Sequence, residues 1–294
     1  MNHTAVFLFL MMIKKIGVAG AGTMGSGIAL VCAQHGFDTL LFDVNSQVLN
    51  KASVRTREQL NKLAEKGKIT LGQGDEIFRR LSFVDNIKDC KADLFIEAII
   101  ENSQAKKDLF NLLAQQNSED TIFATNTSSL SVSEIQSGAQ NPERIIGMHF
   151  FNPAPVMKLV EVVQGNQTSE MVVQEIYTLC KLLGKSPVVC KDAPGFIVNR
   201  VARHYYLEAM KLVESGITDL ESVDAIMEAT GFKMGPFRLM DLIGIDINLA
   251  VSKSIYEASN NEERFRPSHL QQEKVDKGEL GKKTGKGFYD YVSL

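Results

Sequence analysis

The sequence predicts an α/β protein, a mostly parallel sheet covered by helices and followed by an all-α domain, on three observations. A short apolar run, Lys15 to Ala19, leads into a glycine-rich turn and then into residues of helical spacing. Further short apolar runs alternate with helical segments as far as Val189. Beyond Pro194-Gly195 only helical periodicity remains.

Taken in order, Lys15 to Ala19 reads as a strand, Ile28, Ala29, Val31 and Cys32 as a helix, and Thr39 to Phe42 as a second strand. One βαβ unit therefore spans residues 14 to 43. Asp93 to Ile100, Thr121 to Ala124, Ile145 to His149 and Leu159 to Val163 continue the sheet. Between the second strand and Asp93, residues 45–88 read as an inserted, charged helical pair, too long for a simple crossover and expected to project from the domain. Near Lys191 the texture changes, which divides the chain into residues 1–190 and an all-α domain, residues 191–294. Its expected helices are Val201 to Glu214, Leu220 to Ala229 and Leu239 to Ala258.

The 294 residues suit two domains, each able to bury a core. A formal charge of -3 supplies no global field for nucleic acid or an anionic membrane, so neither is an expected partner. Cys32, Cys90, Cys180 and Cys190 are scattered without a CxxC pair and read as reduced core thiols, and no metal site is expected. The apolar leader, Ala5 to Ile13, is shorter than a membrane span, lacks a basic flank and runs directly into the first strand. It reads as a dispensable extension before a start at Met11 or Met12, and the protein is expected in the cytoplasm.

The turn Gly20-Ala21-Gly22-Thr23-Met24-Gly25 carries the spacing of a Rossmann-type dinucleotide loop. Gly20 permits the tight turn, Gly22 admits a pyrophosphate close to the backbone, and Gly25 allows helix and strand to pack closely. The following helix N-terminus faces the phosphates. Asp43 ends the second strand, 23 residues after Gly20, where a carboxylate accepts bonds from the adenosine ribose and repels a 2′-phosphate. The expected cofactor is NAD.

His149 ends one apolar run and Glu161 sits inside the next. An antiparallel return around Pro155 pairs the two, so that the carboxylate fixes the imidazole tautomer and raises its basicity. Three longer segments then resemble the L-3-hydroxyacyl-CoA dehydrogenase family, including bacterial 3-hydroxybutyryl-CoA dehydrogenases. They are His149 through Glu161, Asn126-Thr127-Ser128-Ser129-Leu130, and Asp192 through Arg200, in the family's order and spacing.

What the resemblance implies attaches to particular residues. Its catalytic histidine falls on His149 and the partner glutamate on Glu161, the substrate-binding serine on Ser128 and the active-site asparagine on Asn199. Its NAD contacts fall on Asp43, Glu101, Lys106, Ser128, Asn152 and Lys283. It implies a homodimer formed largely through the all-α domain. Oxidation of a secondary alcohol needs a base near neutrality, which an imidazole supplies, and polar groups that polarise the developing carbonyl, as Ser128 and Asn199 do. Ser128 also has a structural alternative, as the cap of a helix beginning near Leu130, and Asn199 as a partner for backbone groups after Pro194-Gly195.

In the insertion, Lys51, Arg55, Lys62 and Lys66 are spaced by four, seven and four and form a basic helical face. The family binds the phosphates of coenzyme A against this helix pair, which assigns Lys62 and Lys66, with Ser128, to the acyl-CoA. Gln59 departs from the family pattern, which has serine there in a relative. Two other readings stay open: a β-hydroxyacid dehydrogenase acting on free acids, and a non-catalytic NAD-binding protein.

Overall fold

A computed structural model describes residues 13–291 of the chain. The expected leader and starts as far as Met12 lie outside the described residues. The chain divides between Asp192 and Ala193 into two compact units, each with its own apolar core.

In the first unit, β1 (Lys15–Ala19), α1 (Thr23–Gln34) and β2 (Asp38–Phe42) form the βαβ start. Residues Ile28 to Ala33 of α1 are all buried, since the helix is apolar on nearly every face. Next come α2 (Ser46–Glu65) and α3 (Leu71–Arg79), each begun by side-chain caps. The Asn45 side chain accepts the amides of Gln47 and Val48, and Thr70 and Gln73 cap each other reciprocally.

The insertion expected here is corrected. A strand, β3 (Leu81–Val84), follows α3 and pairs parallel with β2, so the helix pair is the crossover between two neighbouring strands. Only Leu81 of β3 is fully buried, and a half-exposed edge strand leaves no continuous apolar run to read.

The chain continues through β4 (Leu94–Glu97), α4 (Ser103–Ala114), β5 (Ile122–Thr125), α5 (Val132–Gln136) and β6 (Ile145–Phe150). Then follow β7 (Leu159–Gln164), α6 (Glu170–Leu182) and β8 (Ser186–Lys191). Among the described residues these strands form one eight-stranded sheet in the order β3-β2-β1-β4-β5-β6-β7-β8. The first six run parallel, β7 returns antiparallel to β6, and β8 lies parallel to β7. Strand order reverses between β1 and β4, the crevice where such sheets bind ligands.

The second unit is helical: α7 (Val198–Glu214), α8 (Leu220–Ala229), α9 (Pro236–Ile243), α10 (Ile245–Ala258) and α11 (His269–Asp276). The single helix expected from Leu239 to Ala258 is two, because Gly244 lies at φ 107° and ψ 121°, far outside helical geometry. Two buried aspartates organise this unit. Asp224 accepts the amides of Phe237 and Arg238 and the hydroxyl of Tyr289. Asp241 accepts the amides of Phe288 and Tyr289 and the hydroxyl of Tyr291, tying the C-terminal segment to α9. Both carboxylates are 1% exposed or less, so removing one strands several buried donors. Asp241→Ala is expected to lower the unfolding free energy by about 2–4 kcal/mol, read by urea denaturation.

Candidate active site

The site grows from strand ends on the first unit. At the end of β1 the backbone turns at Gly20, whose φ of 101° suits glycine and whose added Cβ would lie 2.6 Å from the Ala98 carbonyl oxygen. A Cβ on Gly25 would lie 1.8 Å from the Gly20 oxygen, so helix and turn can approach this closely only without a side chain. Among the described residues, and apart from its own chain neighbours, nothing lies within 4 Å of the corresponding position on Gly22. No side chain caps α1 at Gly22, so the helix N-terminus and an open glycine face make a cradle that fits a pyrophosphate.

Asp43 closes this turn. Its Oδ2 accepts the Ala21 amide at 2.8 Å and its Oδ1 the Asn45 amide at 2.9 Å, which holds the glycine loop to the end of β2. A carboxylate has about four acceptor sites, so these two bonds leave acceptor capacity for ribose hydroxyls.

On the other side of the sheet, the antiparallel register of β6 and β7 sets His149 directly opposite Glu161. Nδ1 of His149 lies 2.7 Å from Oε2 of Glu161, and both residues are buried. A carboxylate offers only lone pairs, so the hydrogen in this contact sits on Nδ1 and the basic lone pair of the ring is on Nε2. The ring also packs against Phe151, with centroids 4.5 Å apart.

Ser128 stands on the turn after β5. Its amide donates to Glu101 Oε1 at 3.0 Å, and that same oxygen receives the Thr127 hydroxyl at 2.6 Å. Lys106, 1% exposed, lies 3.2 Å from Glu101 Oε2 and 2.6 Å from Glu97. Burial opposes ionisation of Glu101, but Lys106 and the Thr127 and Ser128 bonds outweigh it and hold its carboxyl below the usual range. Helix α5 begins at Val132 with Ser131 as its cap, so the capping role considered for Ser128 belongs to Ser131.

The structure thus groups Gly20, Gly22, Gly25 and Asp43, pairs His149 with Glu161, and joins Ser128 to Glu101 and Lys106. Asn152 lies exposed just beyond β6. Lys51, Arg55, Gln59, Lys62 and Lys66 are exposed along α2, whose opposite face buries Leu49, Ala52, Thr56 and Leu60. Asn199 and Lys283 belong to the second unit, Asn199 in the first turn of α7, and Lys283 paired with Asp246 at 2.6 Å.

Sequence reasoning missed three supporting residues. Asn126 accepts the Phe150 amide at 2.8 Å and so joins the turn carrying Ser128 to the strand carrying His149. Lys185, nearly buried, donates to the carbonyls of Ala154 at 2.5 Å and Met157 at 2.9 Å and pins the loop between β6 and β7. Glu97 holds Lys106. A charged residue inside an apolar run was the available signal for Glu97, and Asn126 stood inside a family-like motif without a role attached to it; Lys185 offered none.

A sheet that reverses order beside a glycine turn, with an acidic second-strand end, defines the class of dinucleotide-binding α/β oxidoreductases. Residues 15–193 match the model for the 3-hydroxyacyl-CoA dehydrogenase NAD binding domain, and residues 195–291 the model for the same family's C-terminal domain. The chain belongs to the 3-hydroxyacyl-CoA dehydrogenase family.

The chain is 46% identical over 281 residues to a 3-hydroxyadipyl-CoA dehydrogenase of Escherichia coli, covering 95% of this chain but only 59% of that protein's length. It is 41% identical to a probable 3-hydroxybutyryl-CoA dehydrogenase of Bacillus subtilis, covering 96% of this chain and 98% of the relative. The crystal structure of (S)-3-hydroxybutyryl-CoA dehydrogenase from Ralstonia eutropha superposes with a TM-score of 0.91 at 36% identity, over 96% of this chain and all of that one.

The tight approach at Gly25 yields a direct test of the cofactor cradle. Gly25→Ala is expected to weaken NADH binding by more than roughly tenfold, measured by fluorescence titration. Unchanged affinity would remove the loop from the site.

Proposed function

We propose that this chain interconverts (S)-3-hydroxyacyl-CoA and 3-ketoacyl-CoA with NAD(H), with the short-chain 3-hydroxybutyryl-CoA as substrate. The observation that carries this reading is the buried His149 and Glu161 contact at 2.7 Å, with His149 on the strand next to β5, whose following turn carries Ser128. NAD supplies the hydride acceptor in oxidation and, when reduced, the donor. Nε2 of His149 removes the hydroxyl proton as hydride leaves the adjacent carbon, and returns a proton in the reverse direction. Glu161 stabilises the imidazolium that forms and keeps the ring in one tautomer. Ser128 and Asn199 orient the substrate oxygen and stabilise charge on it.

The cofactor assignment comprises Gly20, Gly22, Gly25, Asp43, Glu101, Lys106, Ser128 and Asn152 in a unit spanning residues 1–190, together with Lys283. The all-α unit, residues 191–294, contributes Asn199 and Lys283 and the surface of a homodimer. The Asp43 carboxylate supports NAD over NADP, since its charge opposes a 2′-phosphate. The exposed Lys62 and Lys66 on α2 meet the phosphates of coenzyme A. Among the described residues no helix is long and apolar enough to cross a membrane.

Steady-state NADH oxidation with acetoacetyl-CoA, 3-oxoadipyl-CoA, longer 3-ketoacyl-CoAs and free acetoacetate tests the reaction and chain length together, with NADPH as a parallel cofactor. The expected result is highest kcat/KM for acetoacetyl-CoA with NADH. Turnover confined to the free acid would establish the β-hydroxyacid reading instead, and NADH binding without any turnover the non-catalytic one.

Two substitutions separate the roles. His149→Gln should keep NADH affinity while kcat falls by about 10²–10⁴; near-normal kcat would exclude it as the base. Lys66→Glu should raise KM for acetoacetyl-CoA roughly fivefold and leave KM for NADH in place. An equal effect on both would make α2 a solvated face only.

A further inference from the structure

Glu97 is the last residue of β4 and has no exposed surface, although Leu94, Phe95 and Ile96 before it are fully buried apolar core. An ionised carboxylate is unfavourable there without strong partners. Burial raises its carboxyl above the usual range, and Lys106 and three hydrogen bonds offset this only in part. Both oxygens are engaged: Oε1 accepts Lys106 Nζ at 2.6 Å and the Ile99 amide at 2.7 Å, and Oε2 accepts the Thr125 hydroxyl at 2.8 Å. An apolar side chain would fill the position as Ile96 fills its own. A purely structural role does not call for a charge.

What the charge does is visible one residue further on. Lys106 is the only cation within the pairings of Glu97 and Glu101 among the described residues, and it bridges the two carboxylates at 2.6 and 3.2 Å. Glu101 in turn accepts from Thr127, Ser128 and Ser129. The backbone repeats the link, since the Asn126 amide donates to the Glu97 carbonyl at 2.8 Å. In the sheet Glu97 stands in register between Ala19, where the glycine turn begins, and Thr125, where the Ser128 turn begins.

We propose that Glu97 is a positioning residue for the cofactor side of the site: by fixing the Lys106 ammonium it fixes Glu101, and through Glu101 the turn that carries Ser128. With Glu97 neutral, the buried ammonium has Glu101 as its one remaining carboxylate and draws that side chain inward, away from the geometry the cofactor meets. This inference rests on the proposed NAD contacts at Glu101 and Lys106.

The test is a cycle of Glu97→Gln, Glu101→Gln and the double variant in the full chain, with NADH dissociation constants from fluorescence titration and kcat with acetoacetyl-CoA. Glu97→Gln is expected to weaken NADH binding about tenfold. The double variant is expected to bind NADH no more weakly than Glu101→Gln alone, because both changes act through one path. Wild-type affinity in Glu97→Gln, or additive losses in the double variant, overturns the proposal. If Glu97→Gln does not fold, Thr125→Val, which removes one bond to Glu97, enters the same cycle with the same non-additivity expected. NADH binding needs no acyl-CoA, so a wild-type chain that binds NADH but reduces no 3-ketoacyl-CoA sinks the proposed reaction and leaves this test standing.

Discussion

The antiparallel pairing of β6 with β7 is the constraint on which the site depends. Side chains alternate between faces along a strand, so a slip of one residue in this pair would move Glu161 to the opposite face from His149. The register is held by apolar burial on the face opposite His149 and Glu161, where the cross-strand pairs Met148–Val162 and Phe150–Val160 are at 2% exposure or less. It is also held at the loop, where Lys185 grips the carbonyls of Ala154 and Met157. The contact between imidazole and carboxylate is thereby fixed by several independent interactions rather than by its own strength. That is the preorganisation the proposed proton-transferring role of the pair calls for, since little reorganisation then accompanies the reaction.

On both sides of the switch point, charges are held by the same economy of backbone donors and short ion pairs. Asp43 is tied to two amides of the turn it serves, and Glu101 to the residues around Ser128. Each acidic group expected to meet the cofactor is thus already oriented by the chain itself. The second unit uses the motif again for stability, where Asp224 and Asp241 collect backbone amides and tyrosine hydroxyls in place of a larger apolar core. Burial raises the Tyr289 and Tyr291 hydroxyls well above the usual phenol range, and the aspartates that accept from them add to this.

The sequence by itself determined the βαβ start, the glycine turn and the pairing of His149 with Glu161. These features rest on local rules: strand and helix periodicities, the conformational freedom of glycine, and a hairpin whose midpoint is marked by Pro155. Family membership was legible for a different reason, because the motifs around His149, Asn126 and Asp192 are long enough to be specific. What only the tertiary structure decided depends on partners distant in the chain. β3 becomes a strand because β2 offers it an edge, and the break at Gly244 appears because one glycine leaves helical geometry within an otherwise unbroken helical pattern. Lys185 and Asn126 acquire their roles 28 and 24 residues away from the groups they hold. Glu97 is the clearest case: its place inside an apolar strand was written in the sequence, but the ammonium that makes its charge tolerable is set against it only when α4 packs on the sheet.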